Sequence, residues 1–295
     1  MPMTTSSLPG LLAMLRRVHS ARGRQREGLY SIEGTRLVER ALRSGAPLES
    51  VLVAQRLVES GDPRHRELFR ALAEAGCAIT VAPDEVLTKL TEGRDLGPIL
   101  GLVRLPAPPT LSNVLGSGRT ITDEPQPTGH AASGPPLILA AVDIVDPGNV
   151  GALTRTAHAG GASALAAVGA SDPFHPRATR ISRGSIFRLP ILRYDTAVAL
   201  LADLRAHDVF TVATSAAGGM PLSDLVAPMD AVAVLMGNEA EGLPPGVQSA
   251  VDAQVTIPMA AGVDSFSVNA AAAIGLYAII QSRPRLVTQE NSRDP

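Results

Sequence analysis

Tryptophan is absent from this 295-residue chain, and aromatic residues make up only 3% of it. Its cores must therefore be built from Ala, Val, Leu and Ile, which an apolar content of 45% supplies. A surface that reads free nucleic-acid strands by stacking is poorly provided for. Cys77 is the single cysteine, which excludes an intrachain disulfide and a cysteine-based metal site. The six histidines, at 19, 65, 130, 158, 175 and 207, show no ligand spacing, so no metal is expected. No apolar run reaches about 18 residues, the length that suggests a membrane span. The first residues lack a signal-peptide pattern. The expectation is a cytoplasmic protein with no membrane partner. No Gly-x-Gly-x-x-Gly follows an expected strand, and there is no Walker-type loop or Gly-x-Ser-x-Gly elbow. The usual dinucleotide, nucleoside-triphosphate and hydrolase readings lose ground accordingly.

Lysine is nearly missing too: Lys89 stands alone among 26 basic residues. The formal net charge of −2 predicts no nucleic acid by itself, but its distribution is uneven. Through Arg104 there are 15 basic against 12 acidic residues, and after it 11 against 16. The first 43 residues hold 8 Arg against 3 Glu. A basic front on an acidic body is the asymmetry expected where the front end meets phosphate, although a solvated basic helix face looks the same.

Residues 1–10 and 285–295 read as disordered tails. Residues 11–26 read as a short helix followed by a basic loop. From residue 30 to 104, short β-rich runs alternate with helical spacings, which argues for a small α/β domain over 11–105. Residues 106–136 are rich in Pro, Gly, Ser and Thr and read as a linker between bodies that move relative to each other. A second α/β body with a mostly parallel sheet is expected over 137–284. It opens with the apolar run Leu137–Val142 and closes with an Ala-rich helix from Val268.

Three stretches of this second body carry chemistry. The first, Asp143-Ile-Val-Asp-Pro-Gly-Asn149-Val-Gly151-Ala-Leu-Thr-Arg155, follows a strand and places Arg155 about one turn into a helix, at the end of a strand where α/β folds bind ligands. A plain strand-to-helix turn with a surface arginine would look alike. The second, Leu235-Met-Gly237-Asn238-Glu239-Ala-Glu241-Gly242-Leu243-Pro244, sets two carboxylates and two glycines right after a buried strand, as a pocket loop or an acidic turn would. The third, Ile257-Pro-Met259 through Asp264-Ser265-Phe-Ser267-Val-Asn269, gathers two hydroxyls and an amide before a helix, more than a helix cap requires.

In order and spacing these stretches resemble the three motifs of the SpoU (TrmH-like) RNA ribose 2'-O-methyltransferases of the SPOUT superfamily. The front of the chain, Tyr30-Ser-Ile-Glu33-Gly34-Thr-Arg36-Leu-Val-Glu39, resembles the L30e-like substrate-binding domain that many members carry. One departure stands out. The family's Ser-Leu-Asn falls on Ser265-Phe266-Ser267, so Ser replaces Asn, while Asn269 sits two residues on.

The resemblance implies a C-terminal α/β sheet with a deep trefoil knot, S-adenosylmethionine as cofactor, and a homodimer with the active site near its interface. It implies catalytic roles for Arg155, Asn149, Glu239 and Ser265. It implies a cofactor site at Ala213, Thr214, Leu235, Met236, Gly237, Asn238, Ile257, Met259, Ser265 and Ser267. For RNA, the candidates are Arg16, Arg17, Arg22, Arg24, Arg26, Arg177, Arg180 and Arg183. Ribosomal RNA, 23S in particular, is favoured over tRNA because of the separate front domain. A binder that has lost catalysis is the different-class alternative, left open by Ser267.

Overall fold

The computed structural model describes residues 7–91, 98–116, 135–216, 218–228 and 230–282. The front body opens with α1 (Leu8–Arg17) and α2 (Ala21–Glu27). It continues through β1 (Leu29–Glu33), α3 (Thr35–Arg43), β2 (Leu48–Ala54), α4 (Gln55–Glu59), α5 (Pro63–Glu74), β3 (Ala78–Ala82), α6 (Asp84–Leu90) and β4 (Ile99–Arg104). Its four strands lie in the order β1-β4-β2-β3, with β4 antiparallel to both neighbours and β3 parallel to β2. The alternation read from the sequence corresponds to these elements.

Two expectations about the front are corrected. Residues 8–10 belong to α1, with Pro9 in the first turn where its missing N–H costs nothing. Residues 1–6 lie outside the described residues. The stretch expected as a basic loop is α2. Ser20 caps it by accepting from the Gly23 N–H, and Gly28, at φ 64°, closes it in the left-handed conformation.

The second body contains α7 (Leu111–Gly116), β5 (Leu137–Val142), α8 (Pro147–Ala159), β6 (Ala164–Val168), α9 (Pro176–Ile181) and β7 (Ile191–Tyr194). It continues with α10 (Ala197–Ala206), β8 (Phe210–Ser215), β9 (Met220–Pro221), β10 (Val232–Met236), α11 (Pro245–Gln248), β11 (Ala253–Thr256) and α12 (Val268–Ser282). The seven strands form one sheet, β7-β6-β5-β10-β8-β11-β9, and every described pair is parallel. Strands β5, β6 and β10 are buried along their whole length, as parallel strands covered on both faces must be. After β11 the chain returns to pack α12 against α8 and β10, the return that the expected knot requires.

Part of the stretch expected as a linker is structured. Leu111 and Val114 of α7 are buried with α10 and the outer face of the large sheet. Residues 117–134 and 283–295 lie outside the described residues, so the remaining linker and the C-terminal tail are not described. Among the described residues no helix is long and apolar enough to cross a membrane, and no group of three His, Cys, Asp or Glu could hold a metal.

Candidate active site

The strand ends of the large sheet build a cleft of about 820 Å³. Thr214 and Ser215 end β8, Met236 ends β10, Ile257 follows β11, and Asn149 lies in the first turn of α8; all five line the cleft. Its position outside the carboxyl ends of parallel strands is where α/β folds bind ligands. The loop after β10 is fixed by its own backbone. Asn238 and Gly242 exchange N–H···O bonds of 3.1 and 2.9 Å. The Asn238 amide oxygen accepts from the N–H groups of Ala240 and Glu241, and its nitrogen donates to the Asp143 carbonyl at 2.9 Å. Asn238 is thus occupied in holding the loop to the end of β5. Gly237 has no room for a side chain, since a β-carbon there would come within 2.3 Å of the Gly242 carbonyl carbon.

The first and second motifs meet through Asn149, whose side-chain nitrogen donates to Glu239 Oε1 at 2.6 Å. The third comes in from the far wall. Ser265, Phe266 and Ser267 line the cleft, and Ser267 Oγ accepts from the Ala270 N–H at the start of α12. Asn269 is not in the lining; its amide oxygen accepts from Thr156 Oγ1 on α8 at 2.6 Å. Of the two, Ser267 stands at the cleft and Asn269 at the contact between α8 and α12.

Arg155 departs from the expectation. Helix α8 begins at Pro147, so Arg155 lies more than two turns in rather than one. It is exposed, absent from the cleft lining, and without a hydrogen bond or ion pair among the described residues. Six positions beyond Asn149, about one and two-thirds turns, its side chain leaves the helix in a different direction. Two cofactor candidates are also displaced. Ala213 and Leu235 are buried in the core behind the cleft. Leu235 takes part only through its carbonyl, which accepts from Thr214 Oγ1 at 3.1 Å.

The arginines divide. Arg16, Arg17, Arg22, Arg26, Arg177 and Arg183 are exposed, with Arg17 paired to Glu27 at 2.8 Å and Arg177 to Asp146 at 3.4 Å. Arg24 is not a surface group. It is 3% exposed, pairs with Asp172, and donates to the carbonyls of Val18 and His19. Three of its five N–H donors are taken by these partners, and burial keeps the group away from a phosphate at the surface. Arg180 is half-buried and pairs with Glu33 at 2.9 Å.

Sequence reasoning missed Asp143, Gln248, Asp264 and Phe266. Asp143 adopts φ 52°, and its carbonyl anchors Asn238; Gln248, Asp264 and Phe266 line the cleft. No spacing signal marks the first two. Asp264 and Phe266 lie inside the third motif and were legible as its neighbours.

The fold and cleft define an α/β protein with a ligand-sized cleft across the ends of a parallel sheet, preceded by a small α/β body. The model of the SpoU rRNA Methylase family matches residues 136–277, and that of the MRM3-like substrate binding domain matches residues 13–99. A tRNA/rRNA methyltransferase of Mycobacterium avium, itself described as uncharacterized, is 30% identical over 260 residues, covering 87% of this chain and 79% of that protein. The 23S rRNA (guanosine(2553)-2'-O)-methyltransferase RlmP of Bacillus subtilis is 25% identical over 263 residues, covering 89% of this chain and 92% of that protein. Among solved structures, the AdoMet-bound rRNA methyltransferase of Sinorhizobium meliloti is similar at a TM-score of 0.76, with 25% identity over 95% of this chain and 98% of that one. An RNA 2'-O ribose methyltransferase is similar at 0.68, with 30% identity over 96% of this chain and 99% of that one. This chain belongs to the SpoU family of RNA methyltransferases, with a substrate-binding domain in front.

Proposed function

We propose that this protein transfers a methyl group from S-adenosylmethionine to a ribose 2'-hydroxyl of 23S ribosomal RNA, in the cytoplasm and as a homodimer. Residues 11–105 would hold the RNA, and residues 137–284 would carry the chemistry. The observation that carries the reading is what lines the cleft. Backbone groups of 237–243 and the apolar side chains of Met236, Leu243, Ile257 and Met259 suit an adenosine. Glu239, Glu241 and Asp264 stand there with no basic residue among the described residues of the lining, which suits a ligand bearing a sulfonium and an ammonium. That cofactor would supply an electrophilic methyl together with its own leaving group, so the reaction calls for no metal.

The same acidic lining suits an RNA phosphate poorly, so a cation must come from elsewhere. Arg155 is the candidate: exposed, unpartnered among the described residues, and permanently charged. It would grip the phosphate beside the target ribose and stabilise charge on the 2'-oxygen as its proton leaves. Positioned charge of this kind is typically worth about 3–4 kcal/mol. Asn149, held by Glu239, would orient the ribose or the guanidinium, and Ser265 would donate to the ribose or hold its loop. Because Arg155 does not line its own chain's cleft, a second copy is the reading that brings it to one. Ile274, Tyr277 and Ile280 leave an apolar stripe exposed on α12, which packs beside α8. A second copy would cover that stripe.

The Bacillus relative supports ribose chemistry on 23S RNA. The test is to map ribose methylation on total RNA with and without the gene. Loss of one 2'-O-methyl group in 23S RNA is the expected outcome. A site lost from tRNA would move the substrate, and no loss anywhere would favour a binder without catalysis.

A further inference from the structure

Separate domains in one chain are expected to move relative to each other unless a large, well-packed interface holds them. Here the front body meets the catalytic body along one seam, centred on α9 and the segment before it. The buried apolar cluster under the front sheet runs without a break into the one under the large sheet, with the Tyr30 and Phe174 rings edge to face at 5.0 Å. Among the described residues, ion pairs cross the seam between Arg24, 3% exposed, and Asp172, and between Arg180 and Glu33 at 2.9 Å. Thr179 Oγ1 lies 3.3 Å from the Ser31 carbonyl, sharing its one proton with the Pro176 carbonyl at 2.9 Å. Arg40 donates to the Arg183 carbonyl and lies over Gly184, where a β-carbon would come within 2.8 Å of Arg40 Cδ. Parting the bodies would return this continuous apolar cluster to water, so they separate only against a hydrophobic penalty, while the ion pairs fix the register of the contact rather than its strength.

Helix α9 also touches the catalytic machinery. Gly151, the motif glycine, lies so close to α9 that a β-carbon there would come within 2.4 Å of the Ala178 carbonyl oxygen. Gly151 therefore serves helix packing, and α8, which carries Asn149 and Arg155, is seated directly on the helix that docks the front body.

We propose that the two bodies form a permanent dock rather than a hinged pair. In it Arg24 and Asp172 are positioning residues that present RNA held by the front body at a fixed distance from the cleft. The inference rests on RNA being the substrate. The His19 and His175 rings meet edge to face across the seam, 5.8 Å between centroids, which offers a direct test in the full chain. In a His19→Cys/His175→Cys variant, a short bismaleimide should bridge the two positions. Cys77 will not compete, being buried with its thiol pushed up to about 11. The bridged protein should methylate ribosomal RNA at the rate of the unbridged variant, within about twofold. Failure of the two positions to bridge, or an activity that bridging abolishes, would overturn the dock. Bridging is read without RNA, so a wrong substrate shows itself separately, as inactivity of bridged and unbridged protein alike. In parallel, Asp172→Asn should raise the KM for RNA or lower kcat about tenfold or more, since small misplacements of substrate carry large rate costs. Its affinity for S-adenosylmethionine should be unchanged. Unaltered RNA kinetics in that variant would remove Arg24 and Asp172 from the positioning role.

Discussion

Gly237 shows how much of the site depends on single atoms. Its missing side chain lets the turn from β10 fold back on Gly242 and Leu243. Gly237→Ala should destabilise the protein by about 1–3 kcal/mol, the usual cost of overpacking, and weaken cofactor binding more than RNA binding. Thermal melts and calorimetry read the two effects apart, and an unchanged melt would mean the turn has slack. Two histidines contribute to a loss of stability in acid. Burial is the main cause holding the pKa of both His158 and His175 below the ordinary 6.5, with the Arg188 charge adding to the effect at His158. A group whose folded pKa is lowered takes up its proton more readily in the unfolded chain. Stability should therefore be flat above about 6.5 and decline as pH falls below it. Replacing both histidines with Gln should flatten that decline in melts between pH 7 and 5.

At the scale of elements, α8 and α12 carry the account. They are joined by Thr156 to Asn269, and each exposes something its own chain does not use: Arg155 on one, Ile274, Tyr277 and Ile280 on the other. If the proposed dimer closes on this stripe, the unaltered protein should sediment as a dimer at micromolar concentration and Tyr277→Glu as a monomer; a variant still dimeric would move the interface elsewhere, and an unaltered protein that is monomeric would remove it. Mixing Arg155→Ala with Glu239→Ala protein should recover part of the lost activity if the arginine is delivered by a second copy, and none if each chain supplies its own. Most strands were legible because they are short apolar runs bounded by Gly and Pro, as Leu137–Val142 is. Helix α2 was not: its basic residues carry no apolar stripe, and its evidence is a cap at Ser20 and a glycine at 28. The start of α8 was misplaced because Pro147 and Gly148 read as a turn, although Pro is well tolerated in a helix's first turn.

At the scale of the whole molecule, the motifs were legible as residues but not as a constellation. Nothing in the spacing of Arg155 says that it leaves the helix away from Asn149's cleft, and nothing local to Arg24 says that Asp172, 148 residues on, will bury it. Those facts belong to long-range packing. The exposed arginines of the front remain the RNA candidates, and replacing Arg22 and Arg26 with Gln should make the slope of log affinity against log salt shallower by about 1–2. An unchanged slope would take them off the phosphate path. The most direct test of the central claim is to compare Arg155→Ala with the unaltered protein on 23S ribosomal RNA, measuring cofactor affinity and single-turnover methylation together. The account predicts cofactor binding within about twofold and a methylation rate lowered about 100- to 1,000-fold; full-rate methylation by Arg155→Ala would contradict it.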